Sequence, residues 1–129
     1  MIKNQLLFLK KSEGKKMITM YAIPNCDTVK KARTFLEKKK VVYEFIDFKK
    51  SPPNVDQIKR WGEFFGELPA NKKGITYKKY KEEFETLTPA KKMKFLSEHS
   101  SMIKRPVLEK NNKTIAMGFD EEMYKALKF

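Results

Sequence analysis

Cys26 is the only cysteine in this chain, within the run Tyr21-Ala22-Ile23-Pro24-Asn25-Cys26-Asp27-Thr28-Val29-Lys30-Lys31-Ala32. A short apolar stretch precedes it and a basic amphipathic stretch follows. That pattern predicts strand, tight loop and helix, with the thiol at the loop–helix junction. The first N–H groups of a helix have no partner inside it. The positive end of the helix dipole favours a thiolate over a thiol, and the thiolate is the nucleophile. The chemistry implied is attack on an electrophilic sulfur or an oxyanion. Against it stands the small buried hydrophobe that a free cysteine commonly is. The polar neighbours Asn25, Asp27 and Thr28 favour the reactive reading, although a carboxylate at Asp27 opposes a second negative charge nearby.

A single cysteine excludes an internal disulfide and fits a reducing, cytoplasmic compartment. It also constrains mechanism. An adduct on Cys26 has no second thiol in this chain to resolve it, so that thiol must come from a small molecule or another protein.

The remaining chemistry-bearing residues are sparse. Of 29 basic residues only Arg33, Arg60 and Arg105 are arginine, and arginine alone offers oxyanions a planar fork. His99, the sole histidine, reads as a helix C-cap. One His and one Cys without clustered carboxylates predict no metal site. Asp120-Glu121-Glu122 reads as negative charge at a helix start. The net charge of +13 suits acidic partners. The lysines are scattered and no recognition helix stands out, so nucleic-acid binding ranks last.

Elements must then position Cys26. With 129 residues, 40% of them hydrophobic, the chain suits one domain. No apolar run approaches a membrane span. Residues 1–16 read as an N-terminal extension and lack the features of a signal peptide. From Met17 onward the expected order is a strand at 17–23, a helix at 28–39 and a strand at 41–48, a βαβ unit with parallel strands. Ser51-Pro52-Pro53 breaks the pattern. A helix capped by Asn54 and Gln57 follows, with Val55, Ile58, Trp61 and Phe65 inward. After a loop at 66–74 comes a helix over 77–87. Another opens at Thr88-Pro89, with Met93 and Leu96 inward. Val107–Glu109 and Thr114–Met117 read as a hairpin. Asp120 caps a last helix carrying Met123 and Leu127. The fold class is α/β: a four-stranded mixed sheet flanked by helices, thioredoxin-like, with a helical insertion at about 52–100.

Four segments carry a family resemblance: residues 23–32 around Cys26; Asp47-Phe48-Lys49-Lys50; Lys73-Gly74-Ile75-Thr76-Tyr77-Lys78-Lys79-Tyr80; and Ile103-Lys104-Arg105-Pro106-Val107-Leu108 with Gly118-Phe119. In this order they resemble the arsenate reductase-like family of thioredoxin-fold proteins. The subgroup they are most similar to is described as glutathione-dependent thiol reductases. The resemblance implies Cys26 as nucleophile and Arg105 as the group that holds an oxyanion near it. It implies a cis bond before Pro106 and a binding loop of Asn25, Asp27 and Thr28. Lys73 falls where the family commonly has a second arginine. Val29 stands where arsenate reductases carry a hydroxyl residue, and no arginine follows Arg105, so arsenate reduction is the weaker reading. Val29 also excludes the two-cysteine switch of the related redox-sensing regulators.

Two functions follow from the resemblance and the residues together. The first is a thiol-dependent oxidoreductase with no bound cofactor, whose Cys26 adduct is resolved by glutathione or a glutaredoxin-like protein. The second is a non-catalytic adaptor that docks on RNA polymerase or another acidic protein.

Overall fold

The computed structural model describes residues 17–129; the extension read over residues 1–16 lies outside them. Strand β1 (Ile18–Ala22) leads through α1 (Asp27–Lys38) to β2 (Tyr43–Asp47). Three helices follow: α2 (Val55–Phe65), α3 (Ile75–Glu85) and α4 (Pro89–Glu98). A 3-10 turn at Ser100–Met102 precedes the hairpin β3 (Val107–Lys110) and β4 (Lys113–Met117), and α5 (Glu121–Lys125) closes the fold. The strands lie in the order β2-β1-β3-β4. β1 and β2 are parallel, and the other neighbours are antiparallel. This is the four-stranded mixed sheet of an α/β, thioredoxin-like fold.

Strand alternation divides the core between the two faces of the sheet. Met20, Leu108 and Ala116 lie side by side across three strands. They pack with Val29, Ala32 and Leu36 of α1 and Tyr124 of α5. The neighbouring row Tyr21, Val107 and Met117 packs instead with Ile58 and Trp61 of α2, Tyr77 and Phe84 of α3, and Phe95 and Leu96 of α4. The inserted helices thus cover one face, while α1 and α5 cover the other.

The predicted caps form. Asn54 Oδ1 accepts from Gln57 N at 2.8 Å, and Gln57 Oε1 accepts from Asn54 N at 2.9 Å. Thr88 caps α4 with Pro89 in its first turn, and Asp120 caps α5. Some inward assignments move. Val55 is exposed, because it stands in the first turn of α2, ahead of the packed stretch that begins at Ile58. In α4 the fully inward pair is Phe95 and Leu96, with Met93 half-buried. In α5 it is Tyr124, and Met123 and Leu127 flank it. His99 is the C-cap of α4 and stacks on Phe95 with ring centroids 4.1 Å apart.

A buried ion pair that spacing did not disclose ties α2 to β3. Glu109 is 1% exposed. Its Oε2 accepts from Arg60 Nε at 2.7 Å, Trp61 Nε1 at 2.9 Å and Thr114 Oγ1 at 3.0 Å, and its Oε1 accepts from Arg60 Nη2 at 2.7 Å. These bonds hold the Arg60 guanidinium above its ordinary pKa, against the opposing effect of burial.

A second polar tie staples α3 to itself: the Tyr77 hydroxyl donates to the Glu85 carboxylate. That bond, and then burial, push the Tyr77 phenol from 10.0 up to about 12. A raised phenol contributes stability below its unfolded value, which is lost as pH rises through the folded one. The decline in thermal midpoint between pH 10.0 and about 12 is therefore expected to be shallower in Tyr77→Phe than in the parent chain. An identical decline would show that Tyr77 does not contribute to it.

Candidate active site at the Cys26 loop

β1 ends at Ala22, and Ile23-Pro24-Asn25 carries the chain to α1. Cys26 is the N-cap residue of α1, with extended backbone (φ −147°, ψ 125°) and no side-chain capping bond. Its carbonyl accepts from Lys30 N at 2.9 Å, closing the first helical turn. The Cys26 side chain is half-buried against the α1 face of the core, beside Phe119. It is neither entombed nor free of packing.

Tyr21 pairs with Val107, so the segment before β3 runs opposite the Cys26 loop. The Arg105-Pro106 bond is cis, as the resemblance implied. Pro106 is buried, and its carbonyl accepts from Gly118 N at 2.8 Å. Gly118 sits at φ +79°, and a Cβ there would come within 3.1 Å of Lys104 Cε. Gly118→Ala is accordingly expected to cost about 1–2 kcal/mol, read as a fall in the urea midpoint. An unchanged midpoint would show that the bend tolerates a side chain.

Arg105 lines a cleft of about 490 Å³ with Pro24, Asn25, Lys49 and the start of α3. Its Nη1 donates to the carbonyls of Ser101 at 2.9 Å and Ile103 at 3.1 Å, which fixes the guanidinium plane. Its Nε is buried and has no hydrogen-bond partner. A buried donor left unpaired is costly, so this atom invites an acceptor. The start of α3 adds more donors. Gly74 is its N-cap and supplies no side-chain cap, so the first amides of α3 remain open. A Cβ at Gly74 would approach Asn71 Nδ2 to 2.9 Å, which explains glycine at this close turn. Ile75 follows, 88% exposed at the rim. The cleft therefore combines a guanidinium, an ammonium, a helix N-terminus and an apolar ledge, the requirements of an anionic organic ligand.

The residues singled out from sequence separate around Cys26. Asn25 and Arg105 share the cleft. Pro106 forms the buried support behind it. Thr28 lies on the opposite flank, in a groove with Phe119. Asp27 is exposed in the first turn of α1, and Lys73 is exposed just ahead of Gly74; neither lines the cleft. Lys49, Ile75, Thr76 and Ser101 were not singled out. The only sequence signal for them was that a glycine opens a helix in the third resembling segment. Among the described residues no group of three His, Cys, Asp or Glu side chains could hold a metal ion. No described helix is long and apolar enough to cross a membrane.

The ArsC family profile matches residues 21–127. An uncharacterised protein of Haemophilus influenzae is 30% identical over 112 residues, covering 85% of this chain and 97% of that protein. A protein named global transcriptional regulator Spx, from Streptococcus agalactiae, is 28% identical over 113 residues, covering 85% and 82%. Among solved structures, one called YFFB protein superposes with a TM-score of 0.75 at 36% identity, covering 85% of this chain and 97% of that one. A possible arsenate reductase from Streptococcus mutans superposes with a TM-score of 0.70 at 29% identity, covering 86% and 99%. With its sheet order, its cis-proline and its cysteine at the head of α1, the chain belongs to the ArsC family.

Proposed function

We propose that this protein is a thiol-dependent oxidoreductase that reduces an anionic disulfide through Cys26. The observation that carries the reading is the unpaired, buried Nε of Arg105 in a cleft that abuts the Cys26 loop. The Cys26 thiolate attacks one sulfur of the bound disulfide. A Cys26–S–S–R bond forms, the substrate S–S bond breaks, and the departing thiolate takes up a proton. An external thiol, glutathione or the cysteine of a glutaredoxin-like protein, then attacks the R sulfur. Cys26 leaves as thiolate, and the oxidising equivalent passes to the external thiol. Arg105, Lys49 and the open amides of α3 would hold the substrate carboxylates. The cleft is in the size range of small organic ligands. Together with Val29 and the lack of an arginine after Arg105, that size favours a peptide-like disulfide over a lone arsenate.

The test is mass spectrometry after incubation with glutathione disulfide. The expected product is one glutathione adduct on Cys26, removed by excess reduced glutathione with release of glutathione disulfide. A chain that stays unmodified would sink the proposal.

The likeness to proteins named global transcriptional regulator Spx supports a second reading, a protein-binding adaptor. The basic surface fits an acidic partner such as RNA polymerase. Co-sedimentation with RNA polymerase by Cys26→Ser as well as by the parent chain, together with no adduct, would favour it.

A further inference from the structure

We propose that the groove between α1 and the start of α5 is a second binding site, which takes the zwitterionic peptide thiol that resolves Cys26; the inference rests on the thiol-exchange reading above. In the Cys26–S–S–R intermediate the Arg105 cleft is still occupied by R. The resolving thiol therefore needs another approach to the same sulfurs. The cleft is lined by Pro24 and Asn25, the residues before Cys26. The groove is lined by Thr28, two residues after it. The two cavities thus flank Cys26, and one can fill without emptying the other.

The groove has a volume of about 640 Å³. Phe35 and Phe119, whose rings meet edge-on at 6.1 Å, form its base. Both pack on the same part of the core as Cys26, so the base continues toward the sulfur. One wall carries Lys30, Lys31 and Lys38, none of which forms an ion pair among the described residues. The opposite lip carries Asp120 and Glu121. Asp120 uses Oδ1 to cap α5, leaving Oδ2 for a ligand. Glu121 faces Lys125 at 3.8 Å, a loose and solvent-exposed pair. A ligand matched to three ammonium groups on one side and two carboxylates on the other bears more than one carboxylate and an ammonium. A γ-glutamyl tripeptide thiol has two and one. In the groove its carboxylates face the lysine wall, its ammonium faces the lip, and its thiol lies at the Cys26 end. Its thiolate attacks the R sulfur, a peptide–S–S–R bond forms, and the electron pair of the broken bond returns to Cys26.

The test uses the Cys26→Ser chain and S-methylglutathione, a pair that cannot exchange thiols, so the result is independent of whether Cys26 is reactive. Amide chemical shifts are followed by NMR during titration. The expected outcome is saturable shifts at Thr28, Thr34, Phe119 and Asp120. Reversing two wall charges, Lys31→Glu with Lys38→Glu, is expected to weaken binding about fivefold or more. Saturable shifts at Gly74, Ile75, Thr76 and Ser101 instead would place the peptide in the Arg105 cleft and overturn the groove while leaving the Cys26 chemistry standing. The absence of saturable shifts, or an affinity that the charge reversals leave unchanged, would also overturn it.

Discussion

Replacing Arg60 by methionine is expected to cost about 3–5 kcal/mol of folding stability. Surface ion pairs are worth roughly 0–1 kcal/mol, so the size of the loss depends on where the pair sits. The Arg60 side chain is 36% exposed, but that of Glu109 is 1% exposed. Removing the guanidinium strips Glu109 of two bonds of 2.7 Å and leaves a carboxylate in the core beside Trp61. Water cannot take the place of the lost donors there. The double variant Arg60→Met, Glu109→Gln removes the buried charge and keeps an acceptor for Trp61 Nε1. It is expected to be more stable than Arg60→Met alone, a coupling that a double-mutant cycle reads directly. Urea denaturation provides the measurement. A loss below about 1 kcal/mol in Arg60→Met would place this pair with the surface class and refute the argument. The site is involved as well. Glu109 lies four residues after Arg105 on the strand that the cis-proline introduces, so the pair anchors the segment that presents the guanidinium.

The second large effect concerns the chemistry. Cys26→Ser is expected to abolish adduct formation with glutathione disulfide, because no other thiol exists in the chain. Arg105→Ala is expected to slow it roughly ten- to hundredfold, the equivalent of about 1.5–3 kcal/mol for a hydrogen bond to a charged group. Iodoacetamide, a neutral reagent with nothing for Arg105 to hold, should alkylate Cys26 in Arg105→Ala at the parent rate. The contrast between the two reagents is the decisive readout. Equal slowing with both would mean that Arg105 acts on the sulfur or on the loop, and the role assigned to it as a substrate anchor would fail. Arg105→Lys should recover part of the rate, since it returns the charge without the fork.

Read alone, the order of residue types was enough for the architecture and for the nucleophile. Alternating and helical periodicities, Asn54 with Gln57, Thr88 before Pro89 and Asp120 before α5 are local signals, and local backbone chemistry obeys them. Cys26 at the head of α1 was visible for the same reason, because a helix start is a short-range event. Where a helix phase depended on its neighbours, as at Val55, Met93 and Met123, the periodic reading shifted by a residue or a turn.

Contacts between residues far apart in sequence were decided only in three dimensions. Nothing in the chain announced that Arg60 would reach Glu109 across 49 positions, because any of sixteen carboxylates could have been its partner. Nor did spacing reveal that Lys49 and the open end of α3 would meet Arg105, or that Thr28 and Asn25, on either side of Cys26, would face different cavities. Side-chain direction at the sulfur follows from which face of the sheet each element covers, and that is a property of the packed whole. The sequence by itself determined the reactive atom and the scaffold that carries it; the tertiary structure alone decided which charges surround that atom, because burial and convergence depend on distances that chain order does not encode.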